Sequence, residues 1–239
     1  MRKVSILAQI FLVGFAGTSL WAGPINFLTF SSATVNPLYT FTNNGDGTGS
    51  FVSNGTNNVN INFIAGSIPT ADLLKPLPTG TILGTLIRTS STSSMAVCTP
   101  SCSGNNGVTQ ELGTGSVMFT DSMGDNLLTI AGSDLFINGL LNGTTASFSG
   151  TSASSSIAFS SDYINFASAT QVDRSISLEG IEPSLSIGPD GLLNSFTAQA
   201  TGSFGVSFAP EPGTMGLGGL SVAGLITLAA RSRKRCKAL

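Results

Sequence analysis

Residues 195–209 read SFTAQATGSFGVSFA. Phe196, Ala198 and Ala200 fall on one phase of a two-residue repeat, and Phe204, Val206 and Phe208 continue it. Successive side chains of a strand point to opposite faces, so this alternation describes a strand with one face on a core. The same rhythm recurs in NVNINFIA, where Val59, Ile61, Phe63 and Ala65 share one face and Asn58, Asn60 and Asn62 the other. Ile176 and Leu178 alternate with Ser175, Ser177 and Glu179, and Leu185 and Ile187 repeat the scheme. Turn signals separate the runs: NNGDGTG at 43–49, SNGTN at 53–57, NGT at 142–144 and GPDG at 188–191. Roughly a dozen short strands at this spacing predict an all-β, antiparallel β-sandwich or jelly-roll-like domain. TADLLKPLPTG, 70–80, interrupts the pattern; Asp72 is placed to cap a helical turn that Pro76 and Pro78 stop. The Ser/Thr runs at 89–94 and 151–156 read as loops or edge strands.

Composition narrows the class. Only 9% of the 239 residues are charged, against roughly a quarter in ordinary globular chains. Between residues 24 and 209 the basic residues are Lys75, Arg88 and Arg174, set against eleven acids, so that the body carries 3 − 11 = −8. Such a surface repels phosphate backbones and argues against a nucleic-acid partner. The chain contains no histidine. That removes Ser-His-Asp and Cys-His catalysis and every His-ligated metal site.

The two ends differ from the body. Arg2 and Lys3 precede an apolar stretch, Val4–Ala16, followed by small residues up to Ala22. This is the layout of a signal peptide over 1–22, a helix that directs export and is then removed. The mature domain is expected over 23–208. Export suits Cys98 and Cys102, which bracket Thr-Pro-Ser and are spaced for a small disulfide-closed loop. Cys236 stands alone in the tail.

At the other end, Gly213–Ala230 is eighteen residues without a charge, followed by Arg231, Arg233, Lys234, Arg235 and Lys237. Eighteen residues of helix span about 27 Å, the thickness of a bilayer core. The basic cluster of 231–239 would stay on the cytoplasmic side. Ahead of the helix, Pro210 and Pro212 hold Glu211 on an extended strip that a protease cleft can bind at little ordering cost.

Pro210-Glu211-Pro212, the glycine-studded apolar segment and the Arg-Ser-Arg-Lys-Arg ending together resemble the PEP-CTERM sorting signal of Gram-negative bacteria. The resemblance spans 209–239. It implies export across the inner membrane, transient membrane anchoring through 213–230 and cleavage near 210–212 by exosortase, a membrane-embedded cysteine enzyme. Release or attachment at the cell surface follows, in a family commonly associated with extracellular polysaccharide and biofilm. Gly213-Thr214 departs slightly from the family's usual residues after the motif.

The body suggests a non-catalytic structural or adhesive matrix protein, without cofactor or bound metal. A carboxylate enzyme would have to draw on Glu111, Asp121, Asp125, Asp134, Glu179, Glu182 and Asp190. Calcium would have to use NNGDGTG or DSMGDN (121–126), which read better as hairpin turns. A lectin-like, carbohydrate-binding module is the alternative. Sugar platforms favour exposed aromatic faces, and outside the signal peptide only Tyr39 and Tyr163 join the phenylalanines. Asn54-Gly55-Thr56 and Asn142-Gly143-Thr144 match the N-glycan acceptor pattern but sit naturally as turns.

Overall fold

The structure is a computed structural model that describes residues 23–209, apart from 54, 56–57, 134 and 152–156. The expected signal helix (1–22) and transmembrane helix (213–230) lie outside the described residues. Among the described residues fourteen strands follow one another: β1 (Ile25–Ser32), β2 (Tyr39–Asn43), β3 (Gly49–Ser53), β4 (Val59–Phe63), β5 (Thr81–Thr92), β6 (Val97–Thr99) and β7 (Gly107–Leu112). They continue as β8 (Gly115–Thr120), β9 (Asn126–Gly132), β10 (Leu135–Leu140), β11 (Ala146–Thr151), β12 (Ile157–Ser160), β13 (Ala169–Glu182) and β14 (Phe196–Phe208). The one helical element among them is a 3₁₀ turn, Thr70–Asp72. No helix of the described residues is long and apolar enough to cross a membrane. The all-β, antiparallel reading of the sequence therefore holds for the described chain.

Two long strands organise the rest. One edge of β5 pairs with β8 throughout 85–90; its other edge takes β4 at 81–84 and β3 at 89–92. β14 behaves alike, with β13 along one edge and, on the other, β2 at 196–198 and β1 at 201–206. Since β1 also pairs with β4 and β2 with β3, the six strands β5, β4, β1, β14, β2 and β3 close into a ring. From it extend two wings, β8-β9-β12 beyond β5 and β13-β11-β10-β7-β6 beyond β14.

Where a strand changes partner, its backbone groups need another source of hydrogen bonds. On β5 the gap falls at Leu86 and Arg88. Asn58 Oδ1 accepts from the Leu86 amide at 2.8 Å, and Asn58 Nδ2 donates to the Leu86 carbonyl at 3.2 Å. Ser53 Oγ donates to the same carbonyl at 2.7 Å and accepts from the Arg88 amide at 2.7 Å. On β14 the Ala200 amide donates to Ser32 Oγ at 3.0 Å, and the Leu38 amide bonds the Ala198 carbonyl at 2.9 Å. Three polar side chains thus stand in for missing strand at the two junctions.

Inward residues of the ring and of the wings meet in a core rich in phenylalanine. Phe30, Phe119 and Phe204, from β1, β8 and β14, lie 5.1–5.8 Å apart between ring centroids. Such aromatic contacts add about 0.5–1.5 kcal/mol each beyond the area they bury. Gly202 makes room for this layer: a Cβ there would stand 2.5 Å from the Phe30 ring and 2.8 Å from the Ser175 carbonyl. On β13 the pairing with β14 shifts between Glu179 and Glu182, and Gly180 takes φ of 59°. This bulge advances the alternation by one residue and turns Ile181 into the core.

Several sequence expectations need correction. Asn58 is buried at the β5 junction rather than on a polar face with Asn60 and Asn62. Thr89–Thr92 belong to β5, a strand flanked on both edges, because the inward Ser90 and Thr92 hydroxyls donate to the carbonyls of Phe51 and Glu111. Asp72 ends its 3₁₀ turn instead of capping it, and its carboxylate accepts from Ser168 Oγ at 2.6 Å. Residues 152–156 of the second Ser/Thr run are outside the described residues.

Candidate functional site

The acidic residues singled out from the sequence are spread through the fold. Glu111 is on β7, Glu179 and Glu182 on β13, and Asp190 in the connection before β14; Asp134 lies outside the described residues. Asp121 and Asp125 share the β8–β9 turn. There Asp121 Oδ1 accepts from the amides of Met123 and Asp125, both at 2.9 Å, and Gly124 takes φ of 89°. Asp125 Oδ2 meets Lys75 Nζ at 3.3 Å and accepts from the Tyr163 hydroxyl at 3.1 Å. Desolvation and that carboxylate raise the Tyr163 phenol above its usual pKa. The carboxylates of this turn order backbone and neighbouring side chains.

The 43–49 stretch has the same character. Asp46 Oδ1 accepts from Thr48 Oγ1 at 2.6 Å and from the Thr48 amide at 2.9 Å, which holds its carboxyl below the ordinary range. Gly45 and Gly47 supply the left-handed conformations that close the β2–β3 hairpin, with φ of 77° and 82°. Asp190 Oδ1 accepts from Asn43 Nδ2 at 3.0 Å, and this bond leads in lowering its pKa. Among the described residues no three Cys, Asp or Glu side chains are disposed to hold a metal ion.

Tyr163 offers no open ring for stacking, being 7% exposed with Lys75 Nζ 5.2 Å from its centroid. Tyr39 is 1% exposed and belongs to the core. Cys98 and Cys102 are joined, with Sγ atoms 2.11 Å apart, at the end of the outermost strand β6. Asn142 has φ of 62° in the β10–β11 turn, where its amide donates to the Gly104 carbonyl at 3.0 Å. Asn54 and Thr56 lie outside the described residues.

The most unusual group is one that the charge tally alone did not single out. Arg88 on β5 and Arg174 on β13 are 1% and 3% exposed. The Arg88 guanidinium carbon stands 4.1 Å from the centroid of Phe148 and 4.9 Å from that of Phe51; that of Arg174 stands 4.4 Å from the same Phe148 ring. Tyr39 stacks on Phe51 at 4.9 Å. Neither arginine has an acidic partner among the described residues, where Lys75–Asp125 is the one ion pair. Asp173 lies on the opposite face of β13 from its neighbour Arg174. Arg88 Nη2 donates to Ser90 Oγ at 3.2 Å. Arg88 Nε and Nη1, Arg174 Nε and Nη2 and the Tyr39 hydroxyl are buried with no hydrogen-bond partner. Burial pushes the Tyr39 phenol up to about 12 and the guanidinium groups of Arg88 and Arg174 down to about 9 and about 10. Both arginines therefore stay charged at neutral pH. Stacking on an aromatic face is worth about 2 kcal/mol to a desolvated cation, less than the several kcal/mol each buried charge costs. The signal was present in the alternation: Arg174 shares the phase of Ile176 and Leu178, and Arg88 that of Leu86 and Ser90.

The chain leaves this domain abruptly. β14 ends at Phe208, and the Ala209 amide bonds the Ser168 carbonyl at 3.1 Å. Pro210, Glu211 and Pro212 come next, outside the described residues, as do Arg231, Arg233, Lys234, Arg235 and Lys237. Residues 208–234 match the family model of the PEP-CTERM protein-sorting motif. The chain carries a PEP-CTERM sorting motif. The match takes in Pro210-Glu211-Pro212, the uncharged stretch and the cations Arg231, Arg233 and Lys234, and it is confined to the C-terminal segment. The PEP-CTERM motif supports export, exosortase processing and sorting to the surface of a Gram-negative cell. Searches of curated proteins and of solved structures gave no match.

Proposed function

We propose that this chain is an exported, non-catalytic surface or matrix protein, built as a β-sandwich-like body with a disposable sorting tail. The signal peptide starts its export, residues 213–230 hold it briefly in the inner membrane, and exosortase cuts near Pro210-Glu211-Pro212. The body then serves a structural or adhesive role in extracellular polysaccharide or biofilm. The observation that carries this reading is the PEP-CTERM match beginning at the last residue of the last strand. A cut at 210–212 leaves every described strand and the Ala209–Ser168 bond in place. Of the three basic residues of the body, two are buried, so its outer surface is strongly acidic. A hydrated anionic surface suits a protein that remains soluble among polysaccharide chains. The structural role is preferred over a lectin-like one because both tyrosines of the body are packed inside.

The test is to express the chain in matched hosts with and without exosortase and to determine the C-terminal residue by mass spectrometry of the fractionated protein. Loss of residues beyond 210–213 in the exosortase host only, with loss of processing in the P210A/E211A/P212A variant, is the expected outcome. An intact tail in both hosts overturns the sorting claim. Unchanged biofilm cohesion in a deletion strain overturns the structural role.

A further inference from the structure

Among the described residues, the core of this domain holds two cations, three sets of unspent donors and no anion. Arginine side chains donate and never accept. At Arg88 Nε and Nη1 and at Arg174 Nε and Nη2, N–H groups stand buried without an acceptor, and the Tyr39 hydroxyl is buried with them. The groups gather at one place. Both guanidinium carbons lie within 4.4 Å of the Phe148 centroid, and Tyr39 reaches the same layer through Phe51, whose ring is 6.1 Å from that of Phe148. They come from β2, β5 and β13, three strands that the ring closure and the facing wings bring together. Two like charges around one ring repel each other, and Arg174 makes Arg88 less tolerant of burial. Unpartnered donors on two cations, buried beside the same ring, call for an anion to accept from them.

We propose that Arg88, Arg174 and Tyr39 form an internal anion-binding site that takes one small inorganic anion, with chloride as its occupant. A spherical monovalent ion accepts N–H and O–H donors from several directions at once and needs little room. An organic acid or a polysaccharide carboxylate brings a carbon skeleton that the packed rings of Phe51 and Phe148 do not admit. A water molecule accepts hydrogen bonds but leaves both positive charges uncompensated. Because Arg88 and Tyr39 are only about 1% exposed, the ion enters when the strands open or during folding. It acts as a pin between β5, in the ring, and β13, in the wing beyond β14.

Binding to the folded state alone raises stability by mass action. The full-length protein is equilibrated in sodium chloride and in sodium gluconate at equal ionic strength, and the unfolding midpoint is followed by circular dichroism. The expected result is a saturable rise of about 5 °C in chloride. The R88M and R174M variants should each lose the difference between the salts. Equal midpoints in the two salts for the unaltered chain, or variants that keep the full chloride effect, overturn the proposal. Should the variants fail to fold, crystals of the unaltered chain grown in sodium bromide give a second answer. An anomalous peak within hydrogen-bonding reach of both guanidinium groups supports the site, whereas water or a second side chain at that place overturns it.

Discussion

Tyr39 has a hydroxyl that finds neither solvent nor a partner, and burial alone raises its pKa to about 12 despite two nearby arginines. Burial disfavours the phenolate, while Arg88 and Arg174 favour it, and the net rise shows that burial outweighs both. An ordinary tyrosine is half ionised near pH 10. In an ultraviolet absorbance titration of the folded protein, Tyr39 should therefore remain protonated at pH 10 and ionise only towards pH 12. In the Y163F variant this titration reports Tyr39 alone among the tyrosines, and a midpoint near 10 with the fold intact would contradict its burial. The same residue shows what alternation reveals and hides. Its place in a strand is legible from YTFTN, but nothing in that run says that two arginines will stand beside it. Arg88 and Arg174 are 86 positions apart, since 174 − 88 = 86, and only the folded sheet brings them to one ring.

At the scale of elements, the long strands β5 and β14 are defined by what fills the places where their partners change. Asn58 provides two of the hydrogen bonds that hold Leu86 across the gap between β4 and β3. Removing its amide leaves a buried backbone N–H without a partner and weakens the bonding of a buried carbonyl, a loss of about 3 kcal/mol. Asn58→Ala should lower stability by that amount in urea unfolding. Asn60→Ala, two residues along β4, should change it by less than about 0.5 kcal/mol. Equal effects from both would mean that the junction does not depend on Asn58. Alternation groups Asn58 with Asn60 and Asn62, since all three fall on one phase. The strand begins only at Val59, however, and the residue just before it turns inward to complete a different strand. Of the Ser/Thr run at 89–94, residues 89–92 lie within β5 for a related reason: buried hydroxyls are tolerated wherever a carbonyl is left to accept from them, and Phe51 and Glu111 each provide one.

For the whole molecule, the described domain is complete before Pro210-Glu211-Pro212. Its ring of six strands is closed by β14, and the last bond, Ala209 to Ser168, precedes Pro210. A chain ending at Ala209 should thus unfold at a midpoint within about 2 °C of the full-length protein, a difference below about 1 kcal/mol. A larger drop in calorimetry would mean that the tail contributes to the fold and is not simply a sorting device. The separation also accounts for why the two halves of the problem were unequally legible. A sorting signal is read as an extended strip, an apolar span and a run of charge, all contiguous in sequence. The site in the body is assembled from residues far apart.

The sequence by itself determined the all-β class, the hairpin turns at 43–49 and 121–126, the phase of the inward residues along β13 and β14, and the PEP-CTERM motif. Each depends on neighbours a few positions apart, where side-chain alternation, glycine conformation and local charge act directly. Only the tertiary structure decided that β5 and β14 would each be shared between two partners, that Asn58 would repair one junction and Ser32 the other, and that two arginines would share the face of Phe148. Those features depend on which strand edges remain unpaired and which inward faces meet, and that is settled by closing the ring across the whole length of the domain.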